Sequence, residues 1–291
     1  MALLNNGKGV QLRKMALSDM DSLMRLKNAE GWNQLKRDWT MLISYKNSVN
    51  LVAVLENRIV GTVTAINYAD AVAWIGMMLV DRDYRGRGIA RLLMLETIAK
   101  LKTCESIKLD ATPAGRPLYL KLGFTDEYTL YRMTNPSVSL ISPGDKPVET
   151  EKIRPGDIPE IAAFDKRVFG AERTELIRQL YESCPESAWL IKENKSIAGF
   201  CLGRRGQNFT QIGPVNASSG KHAEALIRSA INQMNGRALL VDIPAAKSET
   251  KQWLEGCGFI SQRPFERMYL GKNPHPGIIE NLYLIAGPEL G

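Results

Sequence analysis

The chain has 291 residues, 44% of them hydrophobic and 24% charged, and a net charge of +7, a globular composition long enough for two domains or one large one. No apolar run approaches the roughly 18 residues of a membrane helix, and the opening "MALLNNGKGVQLRK" lacks the marks of a signal peptide, so we expect a soluble, unprocessed, cytoplasmic protein with no membrane partner. Cys104, Cys184, Cys201 and Cys257 are scattered without a CxxC, and His222 and His275 are the only histidines, which leaves little material for a disulfide scaffold, a histidine metal site or a Ser-His-Asp triad.

In chain order, "GVQLRKMA" reads as a short strand, and Ser18 with Asp21 as a capping box opening a helix through about Asn28. After the loop "EGWN" a second helix is expected near Gln34 to Ser44. "NLVAVLE" and "IVGTVTAINYA" are β-branched strands joined by a turn at Asn57, and "VAWIGMMLV" is apolar enough for burial on both faces. A helix from about Gly88 to Lys102 should turn Ile89, Leu92, Leu93, Leu95 and Ile98 inward. "SIKLDA" is another strand, "PLYLKLGF" a short helix ending in a turn glycine, and "TLYRM" a last strand. The expected fold class is α/β (α+β), a mixed sheet flanked by helices.

The chain then repeats itself. "LRKMALSDMDSLMRL" parallels "EKIRPGDIPEIAAF", and "VAVLENRIVGTVTAI" parallels "WLIKENKSIAGFCLG"; "LYLKLGFTDEYTLYRM" likewise parallels "WLEGCGFISQRPFERM". These matches keep nearly constant register, with Asp19 facing Asp157, Gly61 facing Gly199 and Met133 facing Met268, as a duplicated domain would. The Pro-, Ser- and Gly-rich "TNPSVSLISPGDKPVET" reads as the connection. We therefore divide the chain into residues 1–135, a linker at 136–150, and a second copy with a tail at 151–291.

Most of the excess charge lies in the first half: residues 1–145 hold 19 Lys and Arg against 14 Asp and Glu, the remainder 19 against 17. "RDYRGRGIARLL" concentrates it, with Arg82, Arg85, Arg87 and Arg91 around Gly86 and Gly88, between a strand and a helix. Free N–H groups at a helix start, glycines that let the backbone close around a ligand, and guanidiniums that keep their charge together make an anion site. No basic block with interleaved aromatics accompanies it, so a discrete anionic ligand fits better than nucleic acid. A dinucleotide fingerprint fails because Arg91 stands where its third glycine or alanine belongs. A P-loop fails because Gly220-Lys221 is followed by His222 and preceded by Val215 at the first glycine position.

Arg85-Gly86-Arg87-Gly88-Ile89-Ala90 does match [Q/R]xxGx[G/A], and "YLKLGF" (Tyr119 to Phe124) follows about 30 residues later as Y-x-K-x-G-F. In these motifs residues 9–133 resemble the GNAT superfamily of acyl-CoA-dependent N-acyltransferases. "LDATPAGRPLY" and the closing "IAGPELG" resemble a subfamily built from two GNAT-like domains, each a mixed, mostly antiparallel twisted sheet flanked by helices. The resemblance implies acetyl-CoA as cosubstrate, with Arg85, Gly86, Arg87, Gly88, Ile89 and Ala90 holding its pyrophosphate. It also implies that backbone N–H groups around Met78, Leu79 and Val80 bind the pantetheine arm and polarise the thioester carbonyl.

By the same resemblance, Tyr119 stands where a tyrosine protonates the leaving thiolate. Glu30 and Asp110 are candidate bases for the acceptor ammonium, with structural roles equally open. Trp32 and Trp39 lie in the region that lines the acceptor pocket in such proteins, or serve as core aromatics. No metal is implied. The second copy has "NASSGKHAEAL" in place of the loop and Leu254 in place of Tyr119, and is expected to keep the fold without the catalysis. The expected activity is acetyl transfer from acetyl-CoA to a primary amine of a small molecule, by direct attack in a ternary complex. The alternatives are a protein-lysine or peptide acetyltransferase and a non-catalytic CoA-binding regulatory module; the acceptor and the oligomeric state stay open.

Overall fold

The computed structural model describes residues 9–143 and 148–291; residues 1–8 of the expected first domain and 144–147 of the expected linker lie outside the described residues. The first copy runs β1 (Gln11–Lys14), α1 (Met20–Ala29), α2 (Lys36–Ser44), β2 (Val49–Leu55), β3 (Arg58–Tyr68), β4 (Val72–Val80), α3 (Ile89–Lys100), β5 (Ser106–Ala111), α4 (Arg116–Lys121) and β6 (Phe124–Asn135). The second runs β7 (Glu151–Lys152), α5 (Ile158–Phe169), α6 (Thr174–Ser183), β8 (Trp189–Glu193), β9 (Ser196–Arg205), β10 (Thr210–Ala217), α7 (Gly220–Gln233), β11 (Leu239–Pro244), α8 (Ser248–Gly256) and β12 (Ile260–Leu270), with β13 (Leu282–Leu284) in the tail. Among the described residues no helix is long and apolar enough to cross a membrane.

Both copies open with the same local device. Asp19 Oδ2 accepts from the Ala16 N–H at 2.9 Å, and Asp157 Oδ2 accepts from the Arg154 N–H at 2.8 Å, each satisfying an orphan donor at its helix entry. Asp19 also takes both prongs of the Arg13 guanidinium, at 2.7 and 2.8 Å. This replaces the expected Ser18–Asp21 capping box: α1 is preceded by a single tight turn at Leu17–Asp19, so the capping carboxylate is Asp19.

The strands form one continuous sheet in the order β1-β2-β3-β4-β5-β12-β6-β11-β10-β9-β8-β7, with β13 beside β10. The copies exchange their last strands. β12 of the second copy lies antiparallel between β5 and β6, and β6 of the first pairs with β11. The order is palindromic, and the chemistry respects it. Arg267 on β12 faces Asp110 on β5 with bonds of 2.8 and 3.0 Å, while Arg132 on β6 faces Asp242 on β11 with two of 2.8 Å. All four side chains are nearly or fully out of water, the condition under which such pairs fix register, because a slip strands a buried charge.

Strand residues alternate between cores. Val72 and Trp74 enter a large core shared by both copies, with Trp39, Tyr68, Phe169, Phe200 and the tail residues Ile285 and Leu290. Ala73 and Ile75 face a smaller core beneath α3. The described part of the linker docks on the second copy: Val138 is buried there, and Ile141 exchanges backbone hydrogen bonds of 2.8 and 3.0 Å with the Asn232 amide.

Candidate active site

β4 is where the sheet opens. It runs parallel to β5 only from Val72 to Ile75, and beyond Ile75 and Leu109 the ladder stops. Against β3 the register shifts between Thr62 and Thr64, and Met77 takes φ +47, in the left-handed region, with its carbonyl held by the Thr62 hydroxyl at 2.8 Å. The bulge reverses the alternation, so Met77 and Leu79 join Trp74 in the shared core while Met78 and Val80 lean on the core beneath α3. An unpaired strand edge at Met78, Leu79 and Val80 results, facing the gap.

The arginine-glycine loop follows directly. Gly86 and Gly88 take φ +76 and +78, and Gly88 caps α3 in the left-handed conformation, where an L side chain would be strained. Among the described residues, the N–H groups of Gly86 through Arg91 have no intramolecular acceptor. A Cβ on Gly86 would meet nothing, so the cradle opens to solvent. The preceding turn is braced by Asp81, which accepts from Arg25 at 2.6 Å and Arg58 at 2.9 Å, and Arg87 lies over the Tyr84 ring. This donor set, with Arg91 exposed beside it, suits a pyrophosphate.

Tyr119 on α4 lies across the gap. It is only 8% exposed, and burial pushes its phenol up to about 12. Gly115 makes room for the ring, since a Cβ there would come within 3.0 Å of Cε2. Tyr119, Met78 and Asp110 line a cavity together with Trp32 and Gln34 from the loop between α1 and α2, Arg132, and four residues from the second half of the chain: Arg263, Phe265, Pro288 and Glu289.

The other residues singled out from the sequence are distributed unevenly. Asp110 lines the cavity, but both its oxygens accept from Arg267, whose guanidinium also donates to the Tyr128 hydroxyl at 2.5 Å and stacks 4.5 Å from the Trp74 ring. Burial raises the Asp110 carboxyl above its ordinary value. Glu30 stands outside the cavity at the loop, where Arg82 and Arg85 donate to its Oε1 at 2.9 and 2.6 Å. Trp32 reaches the cavity. Trp39 does not: it is fully buried in the shared core, because its face of α2 is the one that packs against β3. That corrects the expectation that it touches the acceptor.

Sequence reasoning did not find Gln34, Arg132, Arg263, Phe265 and Glu289. Glu289 belongs to the tail, which threads beneath β4 so closely that a Cβ on Gly76 would fall 2.7 Å from the Glu289 Cα. Trp74 Nε1 donates to the Pro288 carbonyl at 3.0 Å and the Tyr68 hydroxyl to that of Leu290 at 2.9 Å. Arg204 and Gln34 both donate to Glu289 Oε1, at 2.6 and 2.7 Å. Burial alone would raise the Glu289 carboxyl, and the Arg204 charge reverses this and holds it below its ordinary value. The only sequence signal for any of these was the resemblance carried by "IAGPELG".

A splayed strand edge beside a glycine-rich N–H cradle and a buried tyrosine defines a GNAT acyltransferase domain. The family model described as "Acetyltransferase (GNAT) family" matches residues 17–124, and "Acetyltransferase (GNAT) domain" matches residues 161–284. The chain belongs to the GNAT acetyltransferases and carries two GNAT domains in tandem. It is 24% identical to the holothin acyltransferase of Pseudoalteromonas sp. (strain SANK 73390) over 90% of this chain and 88% of that protein. It is 25% identical to the uncharacterized N-acetyltransferase YitH of Bacillus subtilis (strain 168) over 97% of this chain and 98% of that one. A solved Pyrococcus horikoshii structure classed among acetyltransferases shares the fold over 98% of this chain and 97% of its own, with a TM-score of 0.80 at 23% identity.

Proposed function

We propose that the chain transfers an acetyl group from acetyl-CoA to a primary amine of a small molecule, by direct attack in a ternary complex formed in the first domain. The observation that carries this reading is the junction of the open β4 edge, the cradle at Gly86 to Arg91 and Tyr119. The pyrophosphate binds the N–H groups of the loop, and Arg85, Arg87 and Arg91 add charge. Backbone N–H groups along Met78 to Val80 hold the pantetheine arm and polarise the thioester carbonyl toward attack.

A phenol held up to about 12 keeps its proton at neutral pH, so Tyr119 can donate it to the sulfur as the carbon–sulfur bond breaks. Of the two carboxylates, Asp110 is the better placed to receive the amine proton, since it lines the cavity and its proton affinity is raised, but it does so against the hold of Arg267. The second domain, without the loop and with Leu254 fully buried at the tyrosine position, supplies walls rather than a second reaction centre. Those walls favour a small acceptor over a lysine on a folded protein, as does the relative named for acylating holothin.

Thiol release from acetyl-CoA across polyamines, amino acids, aminoglycosides and lysine peptides tests this. Release restricted to one class of free amine, falling at least about tenfold in Tyr119→Phe with CoA affinity held, is expected. Undiminished turnover in Tyr119→Phe removes it as the acid, and release only with the lysine peptides rejects the small acceptor.

A further inference from the structure

The cavity lined by Tyr119 carries two unmet hydrogen-bonding demands of opposite sense. Gln34 is 7% exposed, and its amide nitrogen is committed to the Glu289 carboxylate, which can only accept; this fixes the amide orientation and leaves Oε1 a buried acceptor without a donor. Arg263, half-buried on β12, has a buried Nε without an acceptor and, among the described residues, no carboxylate within ion-pair distance. Its neighbour Arg132 differs, being neutralised through two bonds of 2.8 Å to Asp242. The Arg263 guanidinium lies 5.1 Å from the Phe265 ring centre, a contact that leaves its charge without a counterion. Burial and the Arg132 charge hold it below its ordinary value, as expected of a cation lacking its counterion. Buried polar groups are rarely left unpaired, and both of these line the same cavity.

We propose that the acceptor is an amine bearing a carboxylate, of the α-amino acid class: Gln34 Oε1 receives an N–H of the amine and Arg263 binds the carboxylate. The inference rests on the acyltransferase reading above. A monoanion matches the single unpaired guanidinium, and a planar carboxylate can take the Nε edge in a two-pronged bond. A phosphate dianion would leave charge over. In this arrangement the acceptor is anchored on the second copy's strand while its amine faces the thioester at Tyr119, so Arg263 sets specificity without touching the reacting atoms.

The test uses the full chain and matched acceptors differing only in the carboxylate: ornithine and putrescine, histidine and histamine, phenylalanine and phenethylamine. At least one amino acid should exceed its decarboxylated partner about tenfold or more in kcat/KM. That ratio should fall at least tenfold in Arg263→Met, through KM rather than kcat, with part retained in Arg263→Lys. Equal ratios in wild type and Arg263→Met, or a wild-type preference for the decarboxylated amines, overturn the inference while the transferase reading stands. If no amine releases thiol, that reading fails separately. Calorimetric titration of the same amino acids into CoA-loaded protein then decides: binding abolished by Arg263→Met supports the carboxylate site, and binding that is absent or insensitive rejects it.

Discussion

Replacing Arg267 with Met tests whether the exchanged strand is held by its charges or by its packing. Asp110 and Arg267 have side chains 0% and 4% exposed, so the substitution leaves a buried carboxylate in the sheet without its counterion. Breaking a buried pair from one side costs about 3–5 kcal/mol, and the ring contact with Trp74 is lost as well. At roughly 2–4 °C per kcal/mol for a chain of this order, the melting temperature should drop by about 6–20 °C. The assay is thermal and urea unfolding followed by circular dichroism. The double variant Asp110→Leu, Arg267→Met removes both charges and should recover most of the loss, because an apolar replacement of a buried pair is close to neutral. A single-variant cost below about 1 kcal/mol, or a double variant no more stable than the single, would refute the assignment of strand register to this pair.

Two other perturbations probe the loop and the helix entry. Glu30→Gln frees Arg82 and Arg85 from an exposed ion pair worth about 0–1 kcal/mol, so CoA should bind up to about fivefold tighter by calorimetry; weaker binding would mean that Glu30 braces the loop instead. The Arg13 hydrogen bonds hold the Asp19 carboxyl below its ordinary value, so its contribution to stability is complete above the unfolded carboxylate range and is lost as pH falls through the lower folded value. The melting-temperature gap between wild type and Asp19→Asn should therefore narrow progressively as pH falls from 7 through the carboxylate range, and a constant gap would assign the stability to shape rather than charge.

What the sequence made legible was local. β4 follows its apolar run residue for residue, Val72–Val80, because a strand buried on both faces leaves no ambiguity of period. The turn at Gly86 and Gly88 was legible because positive φ at both positions demands glycine. α3 was placed correctly but turned slightly wrong. Its buried strip is Ile89, Leu93, Met94 and Thr97, and Leu95, two residues on from Leu93 and so on the far side of the helix, is 40% exposed. Trp39 shows the same limit, since an aromatic near a site and an aromatic in the core have identical local patterns.

The strand exchange was out of reach for a different reason. β6 and β12 carry parallel phrases, "LYRM" and "FERM", with the same Arg-Met pair, so either copy's last strand satisfies either copy's fifth strand in pattern, and only the path of the chain decides. The trace that was available is the charge at sheet-interior positions, Asp110 and Asp242 on the fifth strands, Arg132 and Arg267 on the last, repeated in both copies where a lone buried charge would not be tolerated.

That exchange also gives the second copy, which lacks the glycine-arginine loop, a structural part in the first. β12 carries Arg263 and Phe265 into the cavity lined by Tyr119, and the tail carries Glu289 beneath Gly76, so the cavity of the first domain is finished by residues from the far end of the chain. Without the second copy, β5 would lose its neighbour β12 and Asp110 its partner Arg267. The duplicated domain thus works as the missing wall of its partner, and under the function proposed above the freedom to vary acceptor recognition lies on β12 and the tail, where changes leave the glycine-arginine loop and Tyr119 untouched.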